Sequence, residues 1–127
     1  MRQRLQEWEK RLDRILAQID ERLEERYHGQ FRLHPARPEH GTTANRAYDG
    51  LFHVKANFTL GIGTGSGRGY MLDVRVSTLE RISPETRAEI LDFTLTELNR
   101  LLPEEFGAGL EAVPEANGVK IVGDLSL

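Results

Sequence analysis

Two stretches of strict alternation, joined by nine residues of which five are glycine, constrain this chain more than any other feature. Phe52, Val54, Ala56, Phe58, Leu60 and Ile62 alternate with His53, Lys55, Asn57, Thr59 and Gly61. Beyond the tip Gly61 to Gly69, Tyr70, Leu72, Val74 and Val76 alternate with Met71, Asp73, Arg75 and Ser77. Successive side chains on a strand point to opposite faces, so each stretch reads as a strand with one buried face. Together they predict a long antiparallel hairpin over 51–79. Matching the apolar faces restricts the register, because a slip of one residue would turn one strand's apolar set to solvent. Of the two registers compatible with those faces, one sets Lys55 opposite Asp73 and the other sets it opposite Arg75. Charge selects the first.

The flanking segments have helical period. Leu5, Trp8, Leu12, Ile15, Leu16, Ile19, Leu23 and Tyr27 are spaced by ones, threes and fours and place a single stripe along a helix, which Gly29 stops. Within the segment 1–28, a helix from about residue 3 to 28 would be about 39 Å long at about 1.5 Å per residue, longer than a domain of this size is wide, so part of the stripe is expected to overhang. After the hairpin, Ser83-Pro84-Glu85 has the pattern of an N-cap, a first helical proline and an acid in the first turn. The second helix is expected over 83–102, with Ala88, Leu91, Leu95, Leu98 and Leu102 as its core stripe and Pro103 as its end. Leu110 to Val113 and Val119 to Val122 flank an Asn117-Gly118 turn signal and predict a second hairpin over 108–123. Residues 29–50, with Pro35, Pro38, Gly41 and Asp49-Gly50, have no period and read as a long connection, of a length usually either functional or disordered.

The expected fold is therefore α+β: a single domain over 1–127, a two-layer sandwich of order α-β-β-α-β-β, its antiparallel sheet covered by helices on one face. Ferredoxin-like domains begin with a strand, and double-stranded-RNA-binding domains carry three consecutive strands before their last helix. The order here departs from both.

Charge and composition exclude several functions. The 127 residues contain no cysteine, which removes disulfide frameworks and thiolate metal sites and favours a reducing, cytoplasmic setting. No apolar run resembles a signal peptide or a membrane span. The net charge of −3 is unevenly distributed: residues 29–82 are mildly basic and the last third is acidic. The chain is net acidic, and the outward positions of the predicted sheet lack aromatics on which bases could stack. Both argue against nucleic acid as a partner.

Chemistry has few candidate locations. The glycine tip could crowd backbone N–H groups around an anion, with Thr64, Ser66 and Arg68 as side-chain contacts. Its spacing matches neither Gly-x-Gly-x-x-Gly nor a Walker loop, and no helix follows it. His53, Lys55 and Arg75 share the open face of the predicted sheet and form a second candidate ligand surface. His34, Glu39, His40 and His53, with Asp49 nearby, could offer metal ligands, but the loop histidines lack the fixed spacing of a helical pair. No metal or cofactor is expected. Without cysteine, and without a Gly-x-Ser-x-Gly elbow, nucleophilic catalysis has little support. The sequence thus suggests a non-catalytic binding or assembly module. Homodimerisation through Leu5, Trp8, Leu12 and Ile15 of the first helix is its main interaction hypothesis. The alternative is a small-anion or nucleotide-binding domain using the glycine tip.

Overall fold

The computed structural model describes residues 2–44, 49–61, 67–115 and 118–123, with side chains from Gln6 onward. Helix α1 spans Arg2–Arg26, strands β1 and β2 span Phe52–Thr59 and Gly69–Val76, helix α2 spans Pro84–Phe106, and strands β3 and β4 span Leu110–Glu115 and Gly118–Gly123. The four strands form one antiparallel sheet in the order β1-β2-β4-β3. Lys55 pairs with Asp73, the register that charge selects, although the Asp73 carboxylate takes its ion pair from Arg75 at 2.7 Å.

The apolar rows run straight across the sheet. Val54 faces Val74, Ala56 lies in line with Leu72 and Val119, and Phe58 with Tyr70, Ile121 and Ala112. Helix α1 packs on β1, helix α2 on β3 and β4, and the two helices on each other. The stripe from Trp8 to Tyr27 is buried throughout, with Ile19 and Leu23 at 0% exposure. Trp8 stacks on Tyr70 at 4.8 Å between ring centroids and lies 5.1 Å from Phe106. The described part of the stripe thus finds its apolar company within the chain. Leu5 lies outside the described side chains.

Helix α2 differs from expectation in two respects. It does not stop at Pro103 but runs through it to Phe106. A proline removes one backbone donor and crowds the carbonyl four residues earlier, here that of Asn99. In the last turn that loss is a single bond. The Asn99 side chain, meanwhile, ties the helix to β3, its amide donating to the Ala112 carbonyl at 3.0 Å and its oxygen accepting the Ala112 N–H at 2.8 Å. The buried face is also rotated. Ile90, Thr94, Glu97, Leu98, Leu101 and Leu102 face inward, Leu91 and Leu95 are partly buried, and Ala88 is exposed. Because α2 touches both the sheet and α1, its inward face includes polar residues that a search for apolar periodicity passes over. Glu97 is held there by Arg22 at 3.3 Å and Arg100 at 2.7 Å. Ser83 caps the helix as expected, its hydroxyl accepting the Thr86 N–H at 3.1 Å.

The first hairpin is pinched at its neck. Gly61 has φ +78°, and a Cβ placed there would collide with the Gly67 carbonyl. Lys120, fully buried on the sheet face opposite the helices, donates to that same carbonyl and lies 3.6 Å from Glu115. The apolar alternation outruns the helical cover at this end, leaving Phe58 and Leu60 exposed. Gly61→Ala is expected to destabilise the fold by more than about 1 kcal/mol, since it combines a disfavoured φ with a backbone clash. The effect should appear as a lower urea midpoint with an unchanged slope; an unaltered midpoint would contradict the close neck.

Candidate functional site

The residues named from sequence as a ligand surface do not converge. His53 and Arg75 face each other across β1 and β2, and Lys55 lies one pleat further along the same face. Arg68 is exposed near the tip. It is seven residues from Arg75, a separation of about 23 Å at about 3.3 Å per strand residue. Thr64 and Ser66 lie outside the described residues. Trp8, Leu12 and Ile15, named as an interface, belong to the core of the chain itself, where Leu12 and Ile15 are 3% and 2% exposed.

A different constellation forms where the long connection meets α1. Tyr27 and Phe31 anchor the beginning of that segment, their rings 6.4 Å apart, and the His34 N–H donates to the Ser77 carbonyl at 2.8 Å. The Arg37 guanidinium binds the Gly50 carbonyl at 2.6 Å and the Asp49 carbonyl at 2.9 Å, while the Gly50 N–H returns to Pro38 at 2.9 Å. These bonds close the loop on itself and bring His40 and Asp49 to the acidic edge of the helix. Outside itself, the connection hydrogen-bonds to α1 through His40 and Glu21, and to the segment after β2 through His34 and Ser77 and through the Arg32 N–H and Glu80. The connection is therefore an ordered wall for α1 over its described residues.

Asp20 and Glu24, four residues apart and so on one face of α1, meet the loop there. Glu24 Oε1 accepts the Phe52 N–H at 2.8 Å, stitching the helix to the start of β1. Gly50, at φ +80°, lies so close that a Cβ on it would collide with Glu24 Oε1 and stand 3.1 Å from His40 Nδ1. His40 Nε2 is 2.8 Å from Glu21 Oε1. Asp49, 1% exposed, accepts on Oδ2 from the Thr43 N–H at 2.9 Å and the Thr43 hydroxyl at 2.7 Å. Its Oδ1 points to His40 Nδ1 at 3.7 Å. In front of this group opens a cleft of about 430 Å³, lined by Glu24, His28, Phe31, Leu33, His40 and Leu51 among others.

The titration of the two loop residues follows from these contacts. Burial alone would depress the His40 imidazole, but the hydrogen bond to Glu21 and the charges of Glu21, Glu24 and Asp20 outweigh it and raise its pKa above 6.5. Burial would likewise raise the Asp49 carboxyl, yet the Thr43 hydroxyl, the Thr43 and Gly41 backbone N–H groups and the His40 charge together hold it below 3.8.

Of the loop residues considered as metal ligands, only His40, Glu39 and Asp49 belong to this region. His34 uses Nδ1 locally, accepting the Ala36 N–H at 3.0 Å, and His53 lies on the sheet. Sequence reasoning missed Asp20, Glu21 and Glu24 because it followed the apolar stripe of the first helix and assigned no role to the charged positions between. A signal was present: Asp20, 1% exposed, lies four residues from Leu16 and three from Leu23, within the apolar stripe rather than opposite it.

Residues 3–123 match the model of a protein family described as "Uncharacterised protein". The chain belongs to this family. A protein of Borreliella burgdorferi (strain ATCC 35210 / DSM 4680 / CIP 102532 / B31), described as "Uncharacterized protein", is 33% identical over 118 residues, which cover 92% of each chain. No solved structure matches. Among the described residues, no helix is long and apolar enough to cross a membrane.

The raised His40 pKa has a definite sign in stability. A group whose folded pKa exceeds its unfolded value of 6.5 contributes stability that is complete below that pH and lost as pH rises through the folded value. Asp49 acts oppositely: its contribution is present above 3.8 and lost as pH falls through its lower folded value. In chelator-containing buffer, Glu21→Gln should move the His40 pKa down toward 6.5, as followed by NMR of the ring protons. A pKa unchanged by that substitution would show that Glu21 is not what holds the proton.

Proposed function

We propose that the protein is a non-catalytic binding module that takes a positively charged ligand in the cleft between α1 and the segment running from Tyr27 to Leu51. The observation that carries this reading is the convergence of Asp20, Glu21, Glu24 and Asp49 around one imidazole beside an open cleft. Two of those carboxylates are 1% exposed. Placing carboxylates out of water is costly unless an opposite charge or hydrogen-bond donors compensate, so a site of this composition favours a cation over an anion. Phe31, Leu33 and Leu51 add an apolar wall. Among the described residues lining the cleft there is no serine, threonine or cysteine to act as a nucleophile, and Thr43 nearby is engaged with Asp49.

Assembly through α1 has less support, because the described stripe that would mediate it is occupied by the chain's own sheet and second helix. A monomeric mass in light scattering at micromolar concentration is expected, and a dimeric mass would restore the assembly reading. A cytoplasmic setting remains the one that the cysteine-free sequence favours.

The cleft reading is tested by amide chemical-shift mapping of the full chain with a divalent cation, a primary diamine, a guanidinium compound and inorganic phosphate. At least one of the cationic probes should move the amides of Glu24, His28, His40 and Leu51, and Glu24→Gln should weaken that binding by about tenfold, equivalent to about 1.4 kcal/mol. Shifts caused by phosphate alone, centred on Gly67 and Arg68, would instead favour the anion site at the glycine tip.

A further inference from the structure

Three features of the α1 cleft go beyond a general preference for positive charge. First, one ligand atom from each of Asp20, Glu24 and His40 lies within 4.8 Å of the other two. Secondly, His40 Nδ1 and Asp49 Oδ1 are both buried and make no hydrogen bond among the described residues. They stand 3.7 Å apart, too far for a hydrogen bond. That distance is close to the edge of a coordination tetrahedron, about 3.4 Å for bonds of about 2.1 Å. Asp49, with 1% exposure, is thus a buried carboxylate with one oxygen fixed by Thr43 and the other aimed into the cluster.

Thirdly, the groups around the cluster are arranged as supports for ligands. The Nε2 of His40 is tied to Glu21, so an imidazole carrying its proton there turns the Nδ1 lone pair inward. A carboxylate behind the ring both orients it and increases its basicity. Glu24 gives Oε1 to the Phe52 N–H, which fixes the carboxylate and leaves coordination capacity on it. Gly50 keeps the space beside Glu24 and His40 free of a side chain.

We infer that the occupant of this site is a divalent transition-metal ion, of the zinc or manganese class, held by Asp20, Glu24 and His40 with Asp49 completing the set. This inference rests on the reading that the α1 cleft is the binding site, and it names the ligand. Oxygen donors with one imidazole suit these ions, whereas copper(I) prefers sulfur donors, which the site does not offer. A 2+ ion also offsets the formal charge that four carboxylates bring to one place. The competing occupant is a second proton on His40, making it the cationic centre of an ion-pair cluster.

The full chain, stripped of metal with a chelator and then freed of the chelator, is titrated with Zn²⁺ and with Mn²⁺ by calorimetry. Saturable binding of one ion per chain is expected for at least one of them. Glu24→Gln, which keeps an acceptor for the Phe52 N–H, and His40→Ala should each weaken it at least tenfold, while His53→Ala on the sheet should leave it unchanged. In the unsubstituted protein, which avoids any question of variant folding, substoichiometric Mn²⁺ should broaden the amides of Asp20, Glu24, His40 and Asp49 first. Absence of saturable binding by both ions, or binding that survives both site substitutions, overturns the metal assignment. If both ions fail while a diamine or guanidinium compound still perturbs the cleft, the metal is wrong and the cationic-ligand reading stands. If neither kind of probe reaches the cleft, both fall.

Discussion

Burial of one face of α1 is the constraint on which the remaining structure depends. From Trp8 to Tyr27 its apolar residues lie against the chain's own sheet and second helix, and side chains of this kind contribute about 1.5–3 kcal/mol each when fully buried. The helix packs along both β1 and α2, and its two ends make separate aromatic contacts. Trp8 meets Tyr70 and Phe106 at one end, and Tyr27 meets Phe52, at 5.7 Å between ring centroids, at the other. Once this face is fixed, the rotational setting of the helix is fixed too. Asp20, Glu21 and Glu24 must then emerge along the edge where the long connection returns.

The distribution of charge has a structural account in the same setting. The acids of α2 and the arginines of α1 meet across the helix pair: Arg22 reaches Glu97 at 3.3 Å, Arg26 reaches Glu89 at 3.7 Å and Arg11 reaches Glu105 at 3.0 Å. Most of these groups are partly exposed and individually weak. Their effect is on which partner α1 accepts and at what angle, while apolar burial supplies the affinity. The arginines contribute further through their planes, Arg11 over Phe106 at 4.5 Å and Arg26 over Phe93 at 4.9 Å. On the loop side the acidic edge of α1 meets different groups, His40 on Glu21 at 2.8 Å and the Phe52 N–H on Glu24 at 2.8 Å.

Local pattern was enough to read most of the fold and little of the site. The alternation of β1 and β2, their register, the Ser83 cap and the element order follow from rules that act over a few residues, and here tertiary packing agrees with them. Where packing overrides local preference, the reading failed. Pro103 reads as a stop, but one lost bond in a last turn is tolerated when Asn99 secures the helix to β3. The inward face of α2 includes Thr94 and Glu97, which only a structure can show to be satisfied, by the Ile90 carbonyl and by two arginines. The candidate site fails to show in sequence for a related reason. It joins residues 20–24 to residues 40–49, and nothing local announces that a loop without period will fold back on the helix two turns before that helix ends.

A charged residue inside an apolar stripe is usually a cost that folding tolerates only with compensation. In α2, Glu97 has that compensation from two arginines. Asp20, 1% exposed, instead meets the loop side of α1, where one of its ligand atoms lies within 4.8 Å of Glu24 and His40. Gly50, on which a Cβ would collide with Glu24, keeps the space beside Glu24 and His40 free of a side chain, and a cleft opens there. The open space beside these donor atoms is what supports the proposed site on the acidic edge of α1.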